Sequence, residues 1–357
     1  AGALRGYGAT QGTFALESAM NELAEQLQMD PGELRLRNLI EEGETHPELS
    51  GSTPDSPAVL KSSSLNTCIA AGKKRIGWEH NYPRKRVSEN TVRGYGMAVT
   101  MQGSGIAGID SGSVILKLNE DGFFTLTHSA SDMGQGSDTI LCQIAAEILE
   151  VEMAEVIVSS FDLDTLPYDP GAYASSGAYV TGNAALIAAE SMKVQMCSAA
   201  ARLLGVDPGE VEYDSGTFTT SDEKSMTLAA LAKSLCSYDG RDQLVAKGTF
   251  GGDTSPPPFI AGFAEVEVDL ETGICTVLDY VAVVDCGTVL NKPLARIQVE
   301  GGVVMGIGLA LYEDVRYTAK GKLASDSFME YKIPGREDIH GLQAVHGNIL
   351  GMCFDKG

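Results

Sequence analysis

Four segments put glycine beside polar residues at the edges of regular structure, and they constrain this chain more than any other feature. They are Leu4-Arg5-Gly6-Tyr7-Gly8-Ala9-Thr10-Gln11-Gly12, Asp132-Met133-Gly134-Gln135-Gly136-Ser137-Asp138-Thr139, Tyr168-Asp169-Pro170-Gly171-Ala172-Tyr173-Ala174-Ser175-Ser176-Gly177 and Gln298-Val299-Glu300-Gly301-Gly302. Without a Cβ, a backbone can press against a flat or anionic ligand and offer its N–H groups. The first two segments run directly into expected helices, where free N–H groups and the helix dipole favour an anion. Taken singly, each reads more readily as a turn with a helix cap. Neither common nucleotide loop is present: there is no GxxxxGK[ST], and no GxGxxG closes a strand-to-helix turn.

Between these segments the patterning is mixed. Leu16, Met20, Leu23 and Leu27 recur at helical spacing in a first segment from Phe14 to about Ile40. Asp30-Pro31-Gly32-Glu33 restarts a helix there, with Asp as N-cap and Pro at the first helical position. Residues 42–64 read as an exposed connection, and a short helix over Leu65–Ile76 ends at Gly77. Val114, Leu116 and Leu118 alternate, Asn119-Glu120-Asp121-Gly122 turns, and Phe124 and Leu126 alternate again, which predicts a hairpin. A second hairpin runs through Phe263–Val268, turns at Glu271-Thr272-Gly273 and continues at Cys275. Helices are expected over Thr139–Leu149, Asn183–Leu204, Thr227–Leu235 and a glycine-rich Gln298–Leu311. Hairpins rather than regular βαβ units make the fold class α+β, with mixed strands and helices in at least two lobes.

The chain has 357 residues, enough for more than one core. The expected divisions are 1–90, 91–334 and a divergent tail at 335–357. A net charge of −22 repels phosphate backbones and argues against nucleic acid as a partner. No run of about 18 apolar residues is evident, so no membrane span is expected. The seven cysteines form no CxxC or CxC pair, which leaves neither a zinc knuckle nor an iron–sulfur site. Their scatter fits a reducing cytoplasm. His128 ends a hairpin strand and reads as structural.

Taken in order, the segments resemble the large subunits of molybdenum hydroxylases, the family of xanthine dehydrogenases and aldehyde oxidases. Ala3-Leu4-Arg5-Gly6-Tyr7-Gly8 with Gln11 resembles the family's RG[YF]GxxQ signature, and Asp132-Met133-Gly134-Gln135-Gly136 its [DE]MGQG loop. Asp169–Ser175 resembles its small-residue loop beside the metal. Asp285-Cys286-Gly287 with Asn291 and Gln298-Val299-Glu300-Gly301 resembles a late segment, and Tyr331-Lys332-Ile333-Pro334 a further landmark. The resemblance runs from Leu4 to Pro334. It implies a molybdenum-pyranopterin cofactor, as molybdopterin or its cytosine dinucleotide form. It also implies partner subunits or domains carrying [2Fe-2S] and FAD in a hetero-oligomer. The protein's task in such a site is positioning and electrostatics.

The resemblance places Arg5 as an electrostatic and positioning group near the metal. Gly6, Tyr7 and Gly8 form a closely approaching backbone, and Gln135, with the amides of Gly134 and Gly136, lies on the pterin or its phosphate. It packs Ala174 and Ser175 against the dithiolene edge and puts Gln298 on a polar edge of the cofactor. Tyr173 and Tyr179 read equally as core or substrate wall, and Gln102-Gly103-Ser104-Gly105 as a channel lining or a plain turn. The implied reaction is hydroxylation of a heterocycle or aldehyde with oxygen derived from water. The Arg-Gly-Tyr-Gly form leans toward purine-type enzymes. The family's general base is a Glu in a Gly-Glu loop downstream of Tyr331–Pro334, a residue type suited to taking a proton. After Pro334 this chain reads Gly335-Arg336-Glu337-Asp338-Ile339-His340, with no later Gly-Glu pair, and Glu337 stands too near the landmark. The expectation is a piece truncated at both ends and inactive by itself. The contrasting expectation is a non-catalytic cofactor-binding or assembly module.

Overall fold

The structure is a computed structural model that describes residues 4–50, 57–237, 242–335 and 337–338. Its elements begin with α1 (Ala9–Gln26), α2 (Pro31–Leu36), β1 (Thr45–Ser50), β2 (Pro57–Val59), α3 (Leu65–Ile76), α4 (Trp78–Asn81), β3 (Arg84–Arg86) and β4 (Thr91–Met101). Next come β5 (Gly112–Leu118), β6 (Phe124–Thr127), α5 (Ser137–Leu149), β7 (Val156–Ser159) and α6 (Gly182–Leu204). The remainder is β8 (Val211–Asp214), β9 (Thr217–Thr220), β10 (Ser225–Thr227), α7 (Leu228–Leu235), β11 (Val245–Phe250), β12 (Phe259–Asp269), β13 (Cys275–Asp285) and α8 (Lys292–Leu311). The class is α+β, as the patterning implies. No disulfide joins cysteines among the described residues.

The chain divides into two compact units. The first is discontinuous, made of residues 1–45, 59–102 and 257–357. Its sheet has the order β13-β12-β4-β3, and β12 pairs antiparallel with β4 along eleven residues from Phe259↔Met101 to Asp269↔Thr91. That pairing closes the unit across more than 150 residues of intervening chain. The β12–β13 hairpin forms as its alternation predicts. Asp30 caps α2 by accepting from the Glu33 amide at 2.9 Å, and α3 stops at Gly77 in the left-handed region (φ 69°). Both follow from local capping chemistry.

In α1 the leucine stripe is not the face that packs in this unit. Leu16 is 62% exposed, whereas Glu17 and Ala24 are buried. Glu17 Oε2 accepts from Arg35 Nε at 2.9 Å and from the Val99 amide at 2.6 Å, so one carboxylate joins α1, α2 and β4. α8 begins at Lys292, earlier than its glycines suggest, because Asn291 caps it through the Leu294 amide at 3.1 Å. By length and composition alone, α8 is long and apolar enough to cross a membrane.

The second unit comprises residues 46–58 and 103–256. Its main sheet has the order β11-β5-β6-β7, antiparallel except for the β6–β7 pair. Val114, Leu116, Leu118, Phe124 and Leu126 point from it into a core shared with Leu141, Ala145 and Leu149 of α5 and Ala184, Ala188, Met192 and Met196 of α6. Full burial of a Leu or Phe of this kind contributes roughly 1.5–3 kcal/mol. The alanines bring α6 close to the sheet. At Gly248 of β11 a Cβ would lie 1.9 Å from the Ala184 carbonyl oxygen, so only glycine fits there. A smaller sheet, β10-β9-β8, buries Phe218 in the same core with Leu228, Leu231 and Leu235 of α7.

Candidate cofactor site

In the first unit, the opening and the late glycine segments meet. Arg5 Nη2 donates to the Gln298 carbonyl at 2.8 Å. Its guanidinium lies over α8, where a Cβ on Gly301 would stand 3.4 Å from Nη1 and one on Gly302 would stand 3.5 Å from Nη2. A methyl at either position would stand in ordinary van der Waals contact with the guanidinium. Gly6, Tyr7 and Gly8 all have positive φ (94°, 37° and 88°), which turns the chain sharply into α1 and leaves Tyr7 82% exposed. The other landmarks of this unit hold its frame. Asp285 Oδ2 accepts from the Ser64 amide at 2.6 Å, the Tyr331 hydroxyl donates to Glu313, and Pro334 lies against Gly308.

The second unit holds the other two segments. Asp132 Oδ1 accepts from the amides of Gly134 (2.8 Å) and Gly136 (3.3 Å), and its Oδ2 accepts from the Asp138 amide (3.2 Å). Although burial acts to raise it, these amides hold the Asp132 carboxyl below the usual range. The Gly134 and Gly136 amides, expected to face the cofactor, are therefore engaged by their own loop. Gln135 is braced likewise. Its Nε2 donates to the Ser131 carbonyl (2.8 Å) and Ser137 Oγ (3.3 Å), and its Oε1 accepts from the Met133 amide (2.6 Å). What the loop presents outward is bare main chain: at Gly134, exposed and with φ 102°, nothing among the described residues lies within 4 Å of where a Cβ would stand.

The 168–177 segment is equally built. Asp169 accepts from the Gly171 amide (2.8 Å) and from Thr181 Oγ1 (3.0 Å). Ala174 and Ser175 both take the left-handed conformation (φ 51° and 57°), uncommon for residues with a Cβ. The Ala174 carbonyl accepts from the Gly105 amide at 2.7 Å, so the turn that follows β4 packs on this loop. A π-turn over Gly177–Thr181 then leads into α6, an irregularity frequent at functional sites. Tyr173 is about half exposed, while Tyr179 packs edge-on to Phe250 at 5.6 Å. The anticipated absence of a Gly-Glu base concerns residues 339–357, which lie outside the described residues.

Asp132, which opens the glycine motif but was not among the expected site residues, organises the 131–138 loop. Asp132 carried a local signal, since an Asp two residues before Gly commonly accepts its amide.

Glycine-rich loops stand at helix starts in each unit, with Gly8 preceding α1 and Gly136 preceding α5. A family model described as a molybdopterin cofactor-binding domain matches residues 71–340, and a second model of the same description matches residues 1–39. The chain belongs to the molybdopterin cofactor-binding family of molybdenum hydroxylase large subunits. It is 34% identical over 342 residues to the probable hypoxanthine oxidase XdhD of Escherichia coli K12, covering 95% of this chain and 36% of that protein. It is 34% identical over 354 residues to the putative xanthine dehydrogenase molybdenum-binding subunit XdhA of the same strain, covering 97% and 46%. Among solved structures it is similar to quinoline 2-oxidoreductase from Pseudomonas putida 86, with a TM-score of 0.81 and 26% identity over 94% of this chain and 45% of that one. The chain thus spans between about a third and a half of the length of these relatives.

Proposed function

We propose that the chain is the molybdenum-pterin-binding portion of an oxidoreductase that hydroxylates a purine-like heterocycle with oxygen from water. The observation that carries the binding role is the seating of Arg5 over Gly301 and Gly302, which joins the first and last glycine segments. The purine lean is supported by the Arg-Gly-Tyr-Gly form and by relatives named for hypoxanthine and xanthine. The residues fit such a group: at Gly8 and Gly134, positive φ and open space leave main chain uncovered.

When bound, the cofactor supplies two-electron chemistry. This chain's residues supply place and charge. Arg5 offers a fixed cation, with Gln298 beside it on α8. Gly6, Tyr7 and Gly8 give close backbone approach. Gln135 keeps one acceptor lone pair beyond its loop bonds, and Gly134 and Gly136 give it room. Ala174 and Ser175 turn small side chains along a flat edge. Partner subunits carrying iron–sulfur and flavin groups would take up the electrons, and relatives named as a molybdenum-binding subunit or a large chain support a multi-subunit assembly. None of Arg5, Gln135, Ala174, Ser175 and Gln298 is suited to taking up a proton, so we infer that turnover needs groups beyond these residues.

The test is production in a host that makes the cofactor, followed by molybdenum and pterin analysis and assays with xanthine, hypoxanthine and benzaldehyde. Pterin in the wild type, its loss in Arg5→Ala, and purine turnover only with the partner subunits are expected. Turnover of the aldehyde alone moves the reading to an aldehyde oxidoreductase. Robust turnover by the isolated chain overturns its inactivity.

A further inference from the structure

We infer that His128 is a positioning residue that holds the 131–138 loop and the start of α5 in place from beneath. His128 follows the last residue of β6, and its amide donates to the Ser159 carbonyl at the end of β7 (3.4 Å), so its backbone is part of the sheet. Its side chain is fully buried (0% exposed). Nε2 lies 3.3 Å from Asp138 Oδ1, in the first turn of α5. Neither ring nitrogen, nor that carboxylate oxygen, has a well-formed hydrogen bond among the described residues. The ring meets the Asp138 carboxylate and also the main chain at Ala130.

The contact continues outward. The Asp138 amide donates to Asp132, and Asp132 also holds the Gly134 and Gly136 amides. One line of polar contacts therefore runs from the sheet to the exposed tip of the loop. An apolar side chain would fill the space beneath as well as Leu126 and Ala130 fill theirs, and a buried imidazole without good partners costs free energy. Retaining one here is explained by what it grips.

Burial pushes the His128 imidazole below its usual range, against the opposing pull of the carboxylates that face it: Asp138 on α5, Asp132 in the same loop and Asp169 in the 168–177 segment. The neutral ring is the form the folded loop favours, with Nε2 facing Asp138. A histidine whose value is lowered on folding stabilises the fold above the usual imidazole range, and that contribution is lost as pH falls through the folded value. The inference rests on the cofactor reading only for what the loop serves.

The test uses amide hydrogen exchange of the full chain, read as protection of Gly134–Asp138 against pH. His128→Phe keeps the volume and removes the N–H, and His128→Gln restores a donor nitrogen. Expected are at least tenfold lower protection in His128→Phe, substantial recovery in His128→Gln, and, at pH values above the usual carboxylate range where Asp132 stays charged, an acid loss of protection that only the wild type shows. Equal protection in wild type and His128→Phe overturns the inference, as does an acid profile in that pH range shared by wild type and His128→Gln. That second comparison decides alone should His128→Phe not fold. Pterin content of the wild type is measured in parallel. No pterin with the protection pattern intact overturns the cofactor reading and leaves the brace standing.

Discussion

Asp132 accepts three amides of its own loop, which makes it both a cap for α5 and the reason the DMGQG segment has a defined shape. Removing a cap of this kind costs about 1 kcal/mol. Asp132→Ala is expected to lower stability by about that much and to raise amide exchange at Gly134 and Gly136, while Asp132→Asn recovers part of both. Because the folded carboxyl sits below its unfolded value, its contribution is present above the usual carboxylate range and lost as pH falls through the folded value. The stability difference between wild type and Asp132→Ala is therefore expected to shrink in acid, as chemical denaturation at pH 7 and pH 3 would reveal. An unchanged difference would show that charge has no part in the clamp. At this scale the sequence was informative about residue type and silent about partners. The Asp-x-Gly spacing suggests a local turn, but which amides the carboxylate collects depends on the path of the next six residues. Arg5 makes the same point over a longer span: nothing local links it to Gly301 and Gly302, 296 and 297 positions away.

Between elements, two contacts govern how helices seat on sheets. The Glu17–Arg35 pair is buried and ties α1 and α2 to β4. Breaking a buried pair from one side leaves an uncompensated charge and typically costs 3–5 kcal/mol. Arg35→Ala is expected to destabilise the first unit by about that much in urea titration, and Glu17→Gln/Arg35→Met by much less. Equal losses in the two would show that packing, not charge, is at stake. In the second unit, Gly248→Ala drives a Cβ into the main chain of α6, and overpacking of this kind costs about 1–3 kcal/mol. A melting temperature unchanged by that substitution would mean that α6 can move off β11 freely. The helix over Leu65–Ile76 and both hairpins were legible because capping and alternation are local. The burial of α1 was not. Its leucines gave the periodicity, yet Glu17, one position from Leu16, is the residue turned to the sheet.

For the whole molecule, charge is the property that acts everywhere. With 48 acidic against 26 basic side chains, the folded chain repels itself, and salt screens that repulsion over roughly 10 Å at 0.1 M. Raising sodium chloride from about 10 mM to about 200 mM is expected to raise the melting temperature by a few degrees, and a fall would show that ion pairs outweigh self-repulsion. Sequence alone determined the α+β class, the position of most helices and hairpins, and the ordered set of glycine segments that marks the family. Each of these follows from residues within a few positions of one another, or from their order. Tertiary structure alone decided that β4 pairs with β12, that Arg5 lies on α8, and that a buried histidine stands beneath the loop at Asp138. Those contacts join residues that neighbour one another only after the chain has closed. Local propensity carries no trace of such closure, which is driven by the burial of shared apolar surface.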